Sequence, residues 1–408
     1  MSSRIPDYFK MTRRGDAIAA LDGLRAIAII LVLFRHAARV FWSDSEGLLP
    51  FGSWDFATPM MNGWMGVDLF FALSGFLILH HMMKRWGGNP KRIDLRVYFT
   101  KRVLRIVPAY AAVLLIAAAG LFPLYDPGSQ GLGVRISYHL LFLQDYLASN
   151  IVVPFWSLGV EEKFYLIAPL LLIGLATLKK PAWQFGMLGA LILAPFVIRS
   201  AIAWHNPEAV TYDAYFRLYR SPFHACFEGL AAGALCALLY RDRKKLAWTK
   251  DRRIARRMFW AGVAVIGLLM VPAQLLDTIG LFDKTLLQTV IAAGMGLIVM
   301  ASLLPGGAPE WLNARWLFVV AQLSYVLYLL HWPLIPGVLD FAGMIPGYIE
   351  LAPAVQFLVF LPLFFGASAA AALALHYAVE KPFLILKDMP RRRTVRVVRP
   401  PQLAYKKL

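Results

Sequence analysis

A chain of 408 residues that is 59% hydrophobic and only 16% charged is not a soluble protein, in which about a quarter of residues are charged. Its mean hydropathy of +0.59 comes from repeated long apolar runs, the pattern of an all-α integral membrane protein. The net charge of +18 is explained by where the cations fall between those runs and by attraction to anionic lipid, so no nucleic-acid partner is implied.

The runs divide into ten predicted transmembrane helices, at about 17–40, 64–83, 107–125, 155–178, 182–204, 221–240, 258–276, 285–304, 316–339 and 352–380. Basic residues orient them. The segments 1–14, 84–105, 179–180, 241–257, 315 and 381–408 together hold 33 Lys and Arg, and the alternate loops hold 4. Both termini are therefore expected in the cytoplasm. The expected organisation is a cytoplasmic lead (1–16), a membrane domain (17–383) and a basic tail (384–408). No signal-peptide cleavage pattern precedes the first helix, which is expected to be retained. No internal repeat is visible.

The first helix carries Leu21–Asp22–Gly23–Leu24–Arg25 and then Arg35–His36. The eleven-residue step from Arg25 to His36 returns the helix to almost the same azimuth after a rise of roughly 16 Å, and Asp22 shares the arginine's face. A charge at mid-membrane costs at least ~2.5–3.5 kcal/mol, so such groups are functional candidates. The competing roles are a snorkelling anchor for Arg25 and an interfacial position for His36.

After an acidic outer loop, Trp42–Asn62, the second helix opens GVDLFFALSGFLI. It places Asp68 near the outer boundary and Ser74–Gly75 a third of the way in. Gly75 is read as permitting close helix approach, and Ser74 as a nucleophile would need a base within reach. The next loop ends KRVLRIVP, where Arg102 and Arg105 share a helical face at the inner surface. Two guanidiniums so placed suit bidentate phosphate recognition, or serve only as a positive-inside anchor. In the outer stretch 126–154, the half-apolar run Ile136–Leu147 is predicted to be an interfacial amphipathic helix.

The fourth helix begins FWSLGVEEKFY. Trp156 suits the interfacial aromatic belt, and Glu161 and Glu162 fall within the bilayer, with Lys163 adjacent to neutralise one of them. On the sixth helix, His224 and Glu228 are predicted to bond to each other. Cys226 and Cys236, about 15 Å apart on that helix, are too distant for a disulfide and are read as packing residues. On the ninth helix Ser324, Tyr328 and His331 form a polar stripe that must face protein, and Pro333 frees the Leu329 carbonyl. Glu380, at the inner edge of the tenth, is expected to be held by the loop arginines. No residue cluster has metal-ligand spacing, and no Gly-rich phosphate loop opens a βαβ unit.

LDGLRAIA with its Arg-x10-His pair, GVDLFFALSGFLI, KRVLRIVPAY, WSLGVEEKFYL, SYVLYLLHWPL and VEKPF occur in this order from Leu21 to Phe383. Together they resemble the acyltransferase-3 family, membrane-bound acyltransferases that modify extracytoplasmic carbohydrates. The resemblance implies a ten-helix fold, an acyl-CoA donor from the cytoplasm and transfer of its acyl group to a hydroxyl. It gives His36 an essential role, Arg25 a role in donor use, and Arg102 and Arg105 a place near the nucleotide phosphates. Asp68, Ser74, Glu161 and His331 match further motif positions. Arg35 stands where relatives often have an apolar residue or a second histidine, and Gly159 and Lys163 replace the more usual Ser and Gln. Many relatives carry a C-terminal hydrolase-like domain, which this chain is expected to lack.

The expected mechanism has His36 as general base on the acceptor hydroxyl, with Tyr328, His331 or Ser74 positioning the acceptor or stabilising the oxyanion. A carboxylate, Glu161 or Asp68, is expected to orient an imidazole, with Glu162 and Trp156 in support. Acetyl-CoA or another acyl-CoA is the expected co-substrate, with no bound cofactor or metal. The acceptor is a carbohydrate or glycolipid, and the location is the bacterial cytoplasmic (inner) membrane. The rival class is a polytopic transporter or flippase of a polysaccharide precursor, whose buried ionisable groups would form a path.

Overall fold

The computed structural model describes residues 18–389 with short breaks at 44–45, 53, 87–93, 148, 150 and 273–278, together with Tyr8 and Met11. Most of the predicted lead 1–16, and the tail beyond residue 389, lie outside the described residues. The described chain is almost wholly helical. Its long helices are α1 (Ala19–Phe41), α2 (Gly66–Trp86), α3 (Leu95–Ala118), α4 (Trp156–Thr177), α5 (Pro181–His205), α6 (Glu228–Asp242), α7 (Arg252–Met270), α8 (Leu287–Ser302), α9 (Arg315–Gly343) and α10 (Pro353–Leu375). Each overlaps one of the predicted apolar segments. Four helical stretches among the described residues are long and apolar enough to cross a membrane by length and composition: Thr58–Arg85, Pro181–His205, Arg315–Gly343 and Pro353–Asp388. The only strands there form a two-residue hairpin, β1 (Pro50–Phe51) with β2 (Trp54–Asp55).

Two helices begin well before the predicted apolar boundary. The Asp94 carboxylate accepts from the Val97 N–H (2.9 Å) and starts α3 twelve residues ahead of 107. Asp251 does the same for α7 through the N–H groups of Arg253 and Ile254 (2.7 and 3.4 Å). These caps satisfy donors that the first helical turn leaves open. Charge marks where apolar character starts, while the helix continues outward. Arg102 and Arg105 are thereby held on a rigid helix and not on a loop.

Elsewhere the structure is more broken than the predicted pattern. In place of an interfacial helix over Ile136–Leu147, the helix spans Leu132–Leu140 and the chain then turns through Phe142 at φ 54°. Before α6 the backbone passes through a π-helical turn, Phe216–Arg220, and a short turn at Phe223–Cys226. Pro222 cannot donate into a continuing helix, and the interruption turns Arg220 inward, where it is 4% exposed.

Helix α2 is the centre of the bundle, with most of its apolar side chains buried. It lies against α6 so closely that a Cβ at Gly75 would sit 2.0 Å from the Leu230 carbonyl oxygen. One at Gly233 would sit 2.0 Å from that of Ala72. The expected role of Gly75 is borne out. By contrast α5 and α10 turn most of their apolar residues outward, including Leu193, Val197 and Leu358. So large an exposed apolar surface requires lipid around it. Cys226 and Cys236 are free and buried, as expected of packing residues.

Candidate active site

The functional candidates form a column through the bundle in three levels. Helix α2 passes Asp68, Ser74 and Arg85 in turn, α4 passes Trp156, Glu161 and Tyr165 in the same direction, and α1 runs from Arg25 back to His36. At 1.5 Å per residue the ends of α2 are about 30 Å apart.

At the first level α1 meets α9. His36 Nδ1 lies 3.0 Å from the Val32 carbonyl oxygen and 3.1 Å from Nε2 of His331, whose own Nδ1 is 2.8 Å from the Tyr328 carbonyl oxygen. A carbonyl oxygen only accepts, so both neutral rings carry their proton on Nδ1. His331 Nε2 then accepts from His36, and the lone pair of His36 is left on Nε2. The ring lines a cavity of about 460 Å³ that Tyr328 and Trp332 also border. Tyr328 donates to the Pro154 carbonyl (2.6 Å) and lies 2.6 Å from Ser157 Oγ, which locks α9 to the start of α4.

No carboxylate touches either imidazole among the described residues, which corrects the expectation for Asp68 and Glu161. Asp68 instead takes both ends of the Arg220 guanidinium (2.7 and 2.9 Å), and both side chains are buried. Arg220 lies 4.8 Å from the Trp64 ring centroid and 5.1 Å from that of Trp156. Trp156 is therefore buried beneath a cation and is not part of an interfacial belt. Sequence reading placed Arg220 in an outer loop. Its partner is 152 residues away, and no local spacing could reveal the pair.

At the second level Arg25 donates to Ser324 Oγ (3.2 Å) and Ser74 donates to Glu161 Oε1 (2.8 Å). Arg25, Ser324, Glu161, Ser157 and Tyr328 enclose a cavity of about 60 Å³. The charge of Arg105 reaches both Arg25 and Glu161, and Glu162 interacts with Arg102. Ser74 thus donates to the Glu161 carboxylate, the base within reach of its hydroxyl among the described residues. Lys163 neutralises neither glutamate. Its Nζ reaches Asp145 Oδ1 at 2.6 Å and the Phe142 carbonyl at 2.7 Å, fixing the segment before α4. Burial pushes the Asp145 carboxyl up from its ordinary range, and the Lys163 bond opposes that shift.

At the third level Lys84, Arg85, Lys101, Arg102, Arg105 and Lys387 line a cavity of about 480 Å³ with Asp388 as its one carboxylate. Arg102 stacks over Tyr165, 4.5 Å from the ring centroid. A concentration of cations of this kind can attract and hold a polyanion such as a phosphate.

Two further expected contacts are replaced. Glu228 pairs with Arg199 (2.5 Å) and not with His224, which lies 3.0 Å from the Tyr146 hydroxyl. Glu380 pairs with His376 (2.5 Å) instead of a loop arginine. Arg199, five residues before the end of the predicted run 182–204, is not revealed by the sequence pattern, because its partners lie on other elements.

A family model described as an acyltransferase domain (Acyl_transf_3) matches residues 18–376, which takes in the first two levels and all of the third except Lys387 and Asp388. The chain belongs to the acyltransferase-3 family. Among its relatives it is 23% identical to the putative peptidoglycan O-acetyltransferase YrhL of Bacillus subtilis, over 80% of this chain and 50% of that one. It is 25% identical to the putative membrane-bound transacylase BcsY of Komagataeibacter xylinus, over 80% and 74%. It is also 25% identical to the O-acetyltransferase OatA of Staphylococcus aureus, over 82% and 53%. The chain thus spans about half the length of two of these curated relatives. No solved structure matches it.

Proposed function

We propose that this acyltransferase moves an acyl group, acetyl in the simplest case, from cytoplasmic acyl-CoA to a hydroxyl of an extracytoplasmic carbohydrate or glycolipid, as a multi-pass protein of the bacterial cytoplasmic membrane. The observation that carries the reading is the column itself, with a six-cation cavity at one end, an oriented imidazole at the other, and Arg25 and Glu161 between them. The phosphorylated head of acyl-CoA suits the basic cavity, which the charge count places inside, and its long arm suits the narrow middle level. The thioester then approaches His36.

In the reaction His36 Nε2 takes the proton of the acceptor hydroxyl while its oxygen attacks the thioester carbonyl carbon. The tetrahedral oxyanion calls for hydrogen-bond donors at the level of His36, and Arg25, roughly 16 Å away along α1, serves the donor's arm at the middle level instead. The C–S bond breaks, the thiolate takes the proton back from His36, and the products are an ester and free CoA. His331 and the Tyr328 carbonyl hold His36 in the tautomer that makes Nε2 the base.

Sealed vesicles test the reading, with acetyl-CoA on the cytoplasmic face and a membrane-impermeant oligosaccharide on the other. Free CoA and acylated sugar are expected in equal amounts on opposite faces. Product formed only when donor and acceptor share the cytoplasmic face would overturn transfer across the membrane. No CoA release with any acceptor would overturn the transferase and favour a transporter.

A further inference from the structure

The cavity around His36 holds more positive charge than its own residues neutralise. Arg220 there is answered by Asp68, and Asp213 at the rim is paired with Arg217. Arg35 is different. It precedes His36, lines the same cavity and is 8% exposed. Its polar partners among the described residues are Met61 Sδ at 3.3 Å and Tyr212, neither of them charged. Arg39, one turn further along α1, is exposed at the mouth of this cavity.

A buried guanidinium facing a thioether is poorly satisfied. Removing an ion from water is costly unless an opposite charge and further hydrogen bonds replace the lost hydration, and a thioether is a weak acceptor. What would complete Arg35 is a planar oxyanion taking two of its N–H groups, the geometry of a carboxylate or phosphate. The aromatic walls of Trp64, Trp332 and Tyr212 offer apolar faces on which a sugar ring can lie.

We propose that the acceptor is an anionic carbohydrate, with Arg35 binding its carboxylate or phosphate and Arg39 drawing that charge in at the mouth. Arg35 and His36 are consecutive, so the oxyanion and the reacting hydroxyl lie on the same or neighbouring sugars. The identity of the reacting hydroxyl rests on the transferase reading. The binding of the anion does not.

The full-length purified protein is given three probes: a uronic-acid oligosaccharide, its carboxyl-reduced neutral counterpart, and that neutral sugar carrying a phosphate monoester. Binding is measured by calorimetry and transfer by CoA release. At least one anionic probe is expected to bind about tenfold more tightly than the neutral one, or ~1.4 kcal/mol, and which one identifies the carboxylate or the phosphate as the natural source. Arg35→Met is expected to erase that ratio and Arg35→Lys to keep part of it. Arg35→Met removes an ill-satisfied charge, so its melting temperature should equal or exceed the wild type's. Should it fail to fold, Arg39→Met at the exposed mouth is expected to reduce the ratio about threefold. Equal binding of all three probes, binding of none, or an equal loss for all in the folded Arg35 variant would overturn the proposal. Arg35-dependent binding without CoA release would sink the transferase reading alone, and equal transfer to neutral and anionic sugars would sink this one alone.

Discussion

Two sides of the bundle bury arginine in opposite ways. On the α5–α6–α8 side, Arg199 is fully buried and uses all five of its N–H groups. They reach the Thr285 carbonyl twice (3.1 and 2.7 Å), the Ala225 carbonyl and Glu228 Oε1 (2.5 Å each), and Thr289 Oγ1 (2.9 Å). On the α1–α9 side, Arg35 has a thioether and a tyrosine, and His36 keeps a nitrogen in reserve beside the cavity. Charge inside the membrane segments therefore does not by itself mark a site. The Arg199 guanidinium is fully satisfied and ties three elements together, which is structure, although Glu228 Oε2 has no hydrogen-bond partner among the described residues. Incompleteness beside a cavity is what marks the side where a ligand completes the bonding.

Mutating each side separately tests this contrast, and the largest effect belongs to the base. His36→Ala should reduce acyl transfer by about 10²–10⁴-fold, the usual contribution of a positioned general base, while the melting temperature stays near that of the wild type. In the wild type the rate should fall as pH drops, because protonation of Nε2 removes the base (an unperturbed imidazole titrates near ~6.5). Substantial transfer by the alanine variant would remove His36 from the chemistry.

The other side should respond in reverse. Arg199→Met strands the Glu228 carboxylate without its partner, and breaking a buried pair in this way costs about 3–5 kcal/mol. The expected result is a large fall in melting temperature, with the surviving folded fraction keeping its specific activity. Adding Glu228→Gln should recover part of the loss, because the uncompensated charge is then gone. A folded Arg199 variant whose specific activity falls more than its stability would erase the distinction between the two sides.

The sequence made one side of this comparison visible and hid the other. Long apolar runs declared the helices, and Arg25, His36, Arg102 and Arg105 stood out because their spacing lies within one helix or one loop. Tertiary partners had no such signal. Asp68 looked like a free carboxylate because Arg220 approaches from a broken turn 152 residues later, and His36 meets His331 across 295 residues. Lys163 follows two glutamates in sequence, yet its side chain projects about 100° away from Glu162 and about 200° from Glu161, and finds Asp145. Interruptions such as Pro222 and the turns on either side of it decide which way a cation faces, and apolar periodicity does not record them.

The smallest effect concerns how His36 is aimed. Its Nδ1–H has two acceptors, Val32 O at 3.0 Å and His331 Nε2 at 3.1 Å. Removing one leaves the other, so His331→Ala should lower kcat by about tenfold, well short of the loss of a general base. It should leave the KM for acyl-CoA unchanged, because His331 lies at the opposite end from the basic cavity and an effect confined to the transition state lowers kcat alone. His331→Gln restores an acceptor at that position and should recover much of the rate. A raised donor KM, or a glutamine variant no better than alanine, would mean that His331 only fills space between α1 and α9. The tautomer of His36 would then be set by the Val32 carbonyl alone.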